Sequence, residues 1–373
     1  MRGPGSRVRH DIADIVRDHR PALEARQPLS RGQKRVLTAI SRCRTAALGG
    51  HAEVCTRCGR EHPVYNSCRN RHCPKCQAAA QQKWIDAREQ RILNVPHFHL
   101  VFTLPSELKA LGRRHPEEVH AALFRAVIEL LLELGRTRLK ATLGLTLVLH
   151  TWTRDLRFHP HIHVLATAGG LSLGGKRFVH ARKDYLFPVK VMGLLLRGKM
   201  LSALRKLHGE GAFPELGKRA FDRLMRDLAG HRSWVVYAKA PFRKSTHVLS
   251  YLGRYTHRVG IANSRLLDVG PDRVTFRTKG KSTATLPPVD FLARFVQHVL
   301  PDGFHKIRHA GLYASMKQGG LLEKARALLP ARPIAKPPEP IPEDDPPRCP
   351  HCGGLLQRLP LAASPRAPPR SAA

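Results

Sequence analysis

The run His159-Pro160-His161-Ile162-His163-Val164-Leu165 sets histidine at alternate positions of an apolar stretch. Alternate residues of a strand share one face, so this pattern predicts a strand whose histidines converge on one side. His150 closes the preceding apolar run, Leu143 to Thr151, which also reads as a strand. If the two strands pair as neighbours, His150 approaches His161 and His163, and three neutral imidazoles make an open metal site. His-x-His is weak evidence alone, because the chain holds 22 histidines. Imidazole ligands by themselves favour Zn, Cu, Ni or Fe over Mg, so a working Mg²⁺ or Mn²⁺ needs oxygen ligands from substrate phosphate and water.

Further along stands Tyr251-Leu252-Gly253-Arg254-Tyr255, inside a stretch, 246–258, that reads as a helix. Residues four apart share a helix face, so both hydroxyls can point to one place. Half-buried structural tyrosines are the bland explanation of this segment on its own. The functional one makes each a nucleophile toward phosphorus, with Arg254, Arg258 or the metal stabilising the phenolate.

The balance of charge points to the partner. Lys and Arg number 64 against 28 Asp and Glu, a formal net charge of +36, and the pI is about 11.0. Nucleic acid is the polyanion such a surface fits. No apolar run approaches the ~18 residues of a membrane span. Met1-Arg2-Gly3-Pro4-Gly5 lacks the apolar core of a signal peptide, which leads us to expect a cytoplasmic protein with reduced cysteines.

Six of the eight cysteines fall between Cys43 and Cys76. Cys55-Thr56-Arg57-Cys58 and Cys73-Pro74-Lys75-Cys76 form CxxC…CxxC, and two such turns can close a tetrahedral four-sulfur zinc site. We therefore expect Cys55, Cys58, Cys73 and Cys76 to hold one structural Zn²⁺, with Cys68 and His72 able to replace a ligand or to form part of a second site. Arg69, Arg71 and Lys75 in this loop suit phosphate contact, although a solvated basic face reads the same way. Cys349-Pro350-His351-Cys352, in a Pro-rich tail, supplies only half a site.

Four blocks together resemble the two-tyrosine HUH transposases of the rolling-circle insertion sequence 91 family. They are RTAALGGHAEVCTRCG with YNSCRNRHCPKCQ (44–59, 65–77), PHFHLVFTLP (96–105), LHTWTRDLRFHPHIHVLATAGG (149–170) and YLGRYTHRVGIAN (251–263), and LPDGFHKIRHAGLYAS (300–315) also looks like the family. The resemblance covers roughly residues 20 to 315. It implies an α+β chain: an N-terminal helical and zinc-binding domain (1–92) and an HUH endonuclease domain with a central antiparallel sheet flanked by helices (93–330). The tail (331–373) is rich in Pro, Ala and Arg, a composition that reads as disordered. The resemblance further implies His161 and His163 as ligands of a catalytic Mg²⁺ or Mn²⁺, and Tyr251 and Tyr255 as nucleophiles that form 5′-phosphotyrosine links on single-stranded DNA. Related relaxases carry a third histidine upstream of the pair at the position of His150; His159 or His247 are alternatives. The implied activity is DNA transposition in the bacterial nucleoid. A replication initiator or relaxase with the same chemistry, or a non-catalytic zinc-dependent DNA-binding protein, are the competing readings.

Overall fold

A computed structural model describes residues 10–182, 184–242, 253, 260–314, 320–330 and 347–360, leaving out the side chains of 78–80 and 360. Helices α1 (Ile12–Arg26) and α2 (Arg31–Arg42) lead into the hairpin β1 (Gly50–Cys55) and β2 (Glu61–Tyr65), then α3 (Gln77–Glu89). Strand β3 (His97–Thr103) follows, with α4 (Lys109–Arg114), α5 (Pro116–Leu134), β4 (Ala141–Trp152), β5 (Phe158–Ser172) and β6 (Phe178–His180). Next come α6 (Val189–Gly209), α7 (Lys218–Gly230) and β7 (Val236–Phe242). The remaining elements are β8 (Leu266–Val269), β9 (Val274–Arg277), β10 (Thr283–Leu286), α8 (Pro288–Val296), β11 (Ile307–Gly311), α9 (Leu321–Ala327) and β12 (Leu356–Pro360).

Local chemistry starts the first two helices. The Asp11 carboxylate accepts from the Ala13 N–H at 3.0 Å. Ser30 and Gln33 form a reciprocal capping box ahead of α2, which satisfies two N–H groups that no helical carbonyl reaches.

The central sheet runs in the order β11-β4-β5-β3-β7, with β6 added to β5, and every pair is antiparallel. Its two faces differ in chemistry because strand residues alternate. Leu143, Leu145, Leu147 and Leu149 of β4, Ile162, Val164 and Ala166 of β5, and Phe98, Leu100 and Phe102 of β3 pack against α4 to α7 in the largest core. The opposite face carries His97 and His99 of β3, His150 of β4, and His161 and His163 of β5. Part of that face is covered by α3 and α9 through Trp84, Ile85, Leu322 and Ala325 over Val148 and Leu165. This is the α+β architecture with an antiparallel centre that the sequence implies.

A second core joins α1 and α2 to α8 and to the small sheet β10-β9-β8, and includes Cys43 and Cys73. Arg26 pairs with Asp290 and Arg35 with Asp302 across this junction. Packing thus crosses the boundary expected near residue 92: the N-terminal helices share their core with residues 261–296. The tail also departs from expectation. Residues 347–360 are folded, and β12 pairs with β1, making the three-stranded sheet β12-β1-β2. Residues 331–346 and 361–373 lie outside the described residues. Among the described residues, no helix is long and apolar enough to cross a membrane.

Several histidines are buried as neutral rings. His97 bridges the Val95 carbonyl at 2.8 Å and the Tyr313 hydroxyl at 2.7 Å. His298 lies between the Thr151 hydroxyl and the Leu156 carbonyl. His120 sits among Phe158 and Phe304, and among the described residues neither of its nitrogens finds a hydrogen-bond partner. Burial pushes all three down to about 4, against about 6.5 in an unfolded chain. The unfolded chain then binds more protons between those values. Their contribution to stability is whole above about pH 6.5 and is lost as pH falls toward 4. Thermal melting should show Tm dropping between pH 7 and pH 5. His120→Leu, which removes two orphaned polar atoms, should raise Tm and make that drop shallower; an equally steep drop in the variant would contradict this origin.

Candidate functional site

The register of β4 against β5 puts His150 directly opposite His161, and His163 opposite Val148. One donor atom from each of His150, His161 and His163 lies within 4.8 Å of the others. The His150 ring is 4.5 Å from the His163 ring and 5.4 Å from the His161 ring, centre to centre. His150 and His163 are buried, and His161 is half-buried. Among the described residues no carboxylate joins this group.

The hydrogen bonds fix which ring nitrogen is left over. His161 Nδ1 donates to its own strand, to the His159 carbonyl at 2.7 Å, so its Nε2 carries the free lone pair. His163 Nδ1 meets His99 Nε2 at 2.9 Å, with the two rings stacked 5.1 Å apart. With Nδ1 as the donor, Nε2 is the acceptor nitrogen of His163. Burial pushes His161 and His99 down to about 4 and His163 well below the ordinary imidazole value. All three rings are therefore neutral at pH 7, the form a metal requires.

His99 is a residue that sequence reasoning missed. It belongs to β3, a different run of sequence, and only the pairing of Val101 with His163 brings it diagonally beside that ring. Alternation within FHLVFTL, which puts His99 on the face opposite Phe98 and Leu100, was the available signal. Of the two alternatives to His150, His159 lies beside His161, ring centres 5.2 Å apart, but is not in the three-histidine group. His247 lies outside the described residues, as do Tyr251, Tyr255, Arg254 and Arg258. Gly253, between the tyrosines, is buried, and a Cβ there would come within 2.5 Å of Ile85 Cδ1. Ile85 belongs to α3, which covers part of the histidine-bearing face.

The cysteines group differently from the expected single site. Cys73 and Cys76 stand with Cys43 and Cys68, while Cys55 and Cys58 stand with Cys349 and Cys352. The reason is topological. Cys55 and Cys58 occupy the turn between β1 and β2, whose free edge β12 takes. Cys73 and Cys76 immediately precede α3 and face the end of α2, where Cys43 is its C-cap. In this first group the Sγ atoms of Cys43 and Cys76 are 3.6 Å apart, and those of Cys68 and Cys76 are 3.7 Å apart. A tetrahedron with Zn–S bonds of ~2.3 Å has edges of ~3.8 Å. Burial pushes the Cys43 thiol up to about 11. Its hydrogen bond to Cys68, and burial, push Cys73 up as well. A divalent cation reverses that preference by neutralising the thiolates. Cys68 is a ligand-grade member, as expected. His72 is not: its Nε2 accepts from the Leu300 N–H, and its Nδ1 faces Asn70 Oδ1.

Two of the basic residues in this loop hold the fold together. Arg71 donates to the carbonyls of Leu300, Pro301 and Phe304. Lys75 pairs with Asp11 and donates to the Cys43 carbonyl. Arg69 is exposed, with φ of +52°.

Comparison with known proteins fits this anatomy. The family described as "Transposase zinc-binding domain" matches residues 15–104, and the one described as "Putative transposase" matches residues 144–319. The chain is 39% identical over 335 residues to "Putative transposase y4qJ" of Sinorhizobium fredii, covering 86% of this chain and 84% of the relative. It is 30% identical over 317 residues to the transposase for insertion sequence element IS801 of Pseudomonas savastanoi pv. phaseolicola, covering 79% and 73%. No solved structure matches. The chain is a transposase with an N-terminal structural zinc-binding domain. It belongs to the insertion sequence 91 family.

The first cysteine group yields a discriminating expectation. Cys68→Ser should cost zinc and lower Tm, because a four-thiolate site loses closure. His72→Gln should leave the zinc content of the purified protein unchanged. Zinc lost in the His72 variant, or kept in the Cys68 variant, would contradict the ligand set.

Proposed function

We propose that the chain cuts and rejoins single-stranded DNA at the ends of its insertion sequence, through 5′-phosphotyrosine links to Tyr251 and Tyr255. The observation that carries this reading is the convergence of His150, His161 and His163 on one sheet face of a family transposase. These three nitrogens fit a divalent cation with open positions for phosphate and water oxygens. Mg²⁺ or Mn²⁺ held there would polarise the scissile phosphate and offset charge developing on it. His99 acts as a positioning residue, since its contact with His163 Nδ1 fixes that ring's tautomer and orientation.

In each transfer a tyrosine oxygen bonds to the 5′ phosphorus as the bond to the 3′ oxygen breaks. The phenolic proton is lost and the departing 3′ oxygen gains one, so each exchange conserves a phosphodiester. A phenol of pKa near 10 needs a cation close by to ionise, a role for Arg254 or Arg258. The packing of Gly253 on Ile85 supports a tyrosine segment near the histidine face, because α3 bridges the two. The formal charge of +36 suits the DNA backbone, and Arg69 is an exposed candidate for phosphate contact. Relatives that are transposases favour insertion-sequence ends over a replication origin as substrate, and the nucleoid as the place of action.

The test is labelled single-stranded DNA from the element's ends, incubated with Mn²⁺ or Mg²⁺ and resolved on a denaturing gel. Wild type should give an SDS-stable adduct that Tyr251→Phe/Tyr255→Phe lacks. His161→Ala should lose cleavage while keeping most DNA affinity. Nicking without any adduct would rule out the tyrosine mechanism.

A further inference from the structure

The C-terminal CxxC pair lies outside both stretches matched by the family models, 15–104 and 144–319. The fold nevertheless completes it. We infer that Cys55, Cys58, Cys349 and Cys352 form a second zinc site that clasps the C-terminal segment onto the N-terminal hairpin.

Four sulfurs from two distant turns lie within 4.8 Å of one another. Cys55 Sγ is 3.4 Å from Cys352 Sγ, and Cys58 Sγ is 3.8 Å from Cys349 Sγ. These are not disulfides, since all eight cysteines are free and an S–S bond measures ~2.05 Å. They match the ~3.8 Å edges of a four-sulfur zinc tetrahedron.

The two turns also share a construction. Each reads Cys-x-x-Cys-Gly, and the glycine is left-handed in both, with φ of +68° at Gly59 and +72° at Gly353. Gly59 N–H donates to the Cys55 carbonyl, and Gly353 N–H to the Cys349 carbonyl, both at 2.9 Å. The N–H groups of Arg57 and Cys58 aim at Cys55 Sγ, each at 3.4 Å. Such N–H groups favour a thiolate over a thiol, as a metal ligand requires. At Gly354 any side chain is excluded: a Cβ would lie 2.7 Å from Arg57 Cβ and 3.0 Å from Cys55 Sγ.

The consequence is mechanical. The strand β12 is an edge addition of five residues, paired with β1 from His51↔Pro360 to Cys55↔Leu356. Bringing its end back to β1 closes a loop of nearly the whole chain, whose entropic cost grows with the logarithm of length. Short strand pairing is marginal by itself; four metal–thiolate bonds at the strand's root hold it. The first cysteine group, Cys43, Cys68, Cys73 and Cys76, needs nothing from the tail, so the two sites load independently.

The test uses full-length protein in a His161→Ala/His163→Ala background, so that the imidazole group contributes no ion, and counts zinc by native mass spectrometry. Two zincs per chain are expected. Cys349→Ser/Cys352→Ser should hold one, and so should Gly354→Val, which leaves all four ligands in place. Limited trypsin digestion should cut after Arg358 at least tenfold faster in both variants than in the parent, because β12 is released. One zinc in the parent, two in the cysteine variant, or equal protection of Arg358 throughout would each overturn the inference.

Discussion

The antiparallel register of β4 on β5 is the constraint on which the rest depends. Pairing His150 with His161 settles, by alternation, that every second residue of both strands faces the same side. The leucines of β4 then meet the helices, and the imidazoles meet one another. A slip of β4 by one residue against β5 would turn His150 toward the helices, away from His161 and His163, and its leucine row out of the core. The apolar core and the histidine site are thus two faces of one choice. The hydrophobic energy of the first holds the geometry of the second.

Charge and burial work together at that site. Burial keeps His161 and His163 neutral, and among the described residues no carboxylate joins them and His150. His99 and the His159 carbonyl orient two of the rings through Nδ1. The remaining nitrogens form a donor set that a cation with open coordination positions can complete with oxygen atoms of a phosphate. The cysteine groups fasten other parts of the chain. One is built into the second core beneath α1 and α2, and the other sits at the root of β12.

The sequence revealed the sheet strands well, because His161-Ile162-His163 and the leucine runs on either side have an unmistakable period of two. It also made the histidine convergence visible once β4 and β5 were taken as neighbours. The cysteine partners were hidden. CxxC spacing says that two thiols share a turn, but not which other turn faces them, and Cys43 and Cys68 have no such spacing. Cys349 and Cys352 could be paired only by knowing that β12 returns to β1. The roles of Arg71 and Lys75 were hidden for a related reason: a basic residue that caps distant carbonyls looks, in one dimension, like a phosphate contact. His99 lay in an apolar strand and drew no attention until the pairing of β3 with β5 placed it beside His163.

The central claim, that this register creates one three-imidazole metal site, is tested most directly by pulsed electron paramagnetic resonance of Mn²⁺ bound to protein carrying ¹⁵N-labelled histidine. The account predicts imidazole nitrogen couplings on the bound ion in wild type, with one fewer nitrogen in His150→Ala. Bound Mn²⁺ without histidine nitrogen couplings, or couplings unchanged in His150→Ala, would contradict it.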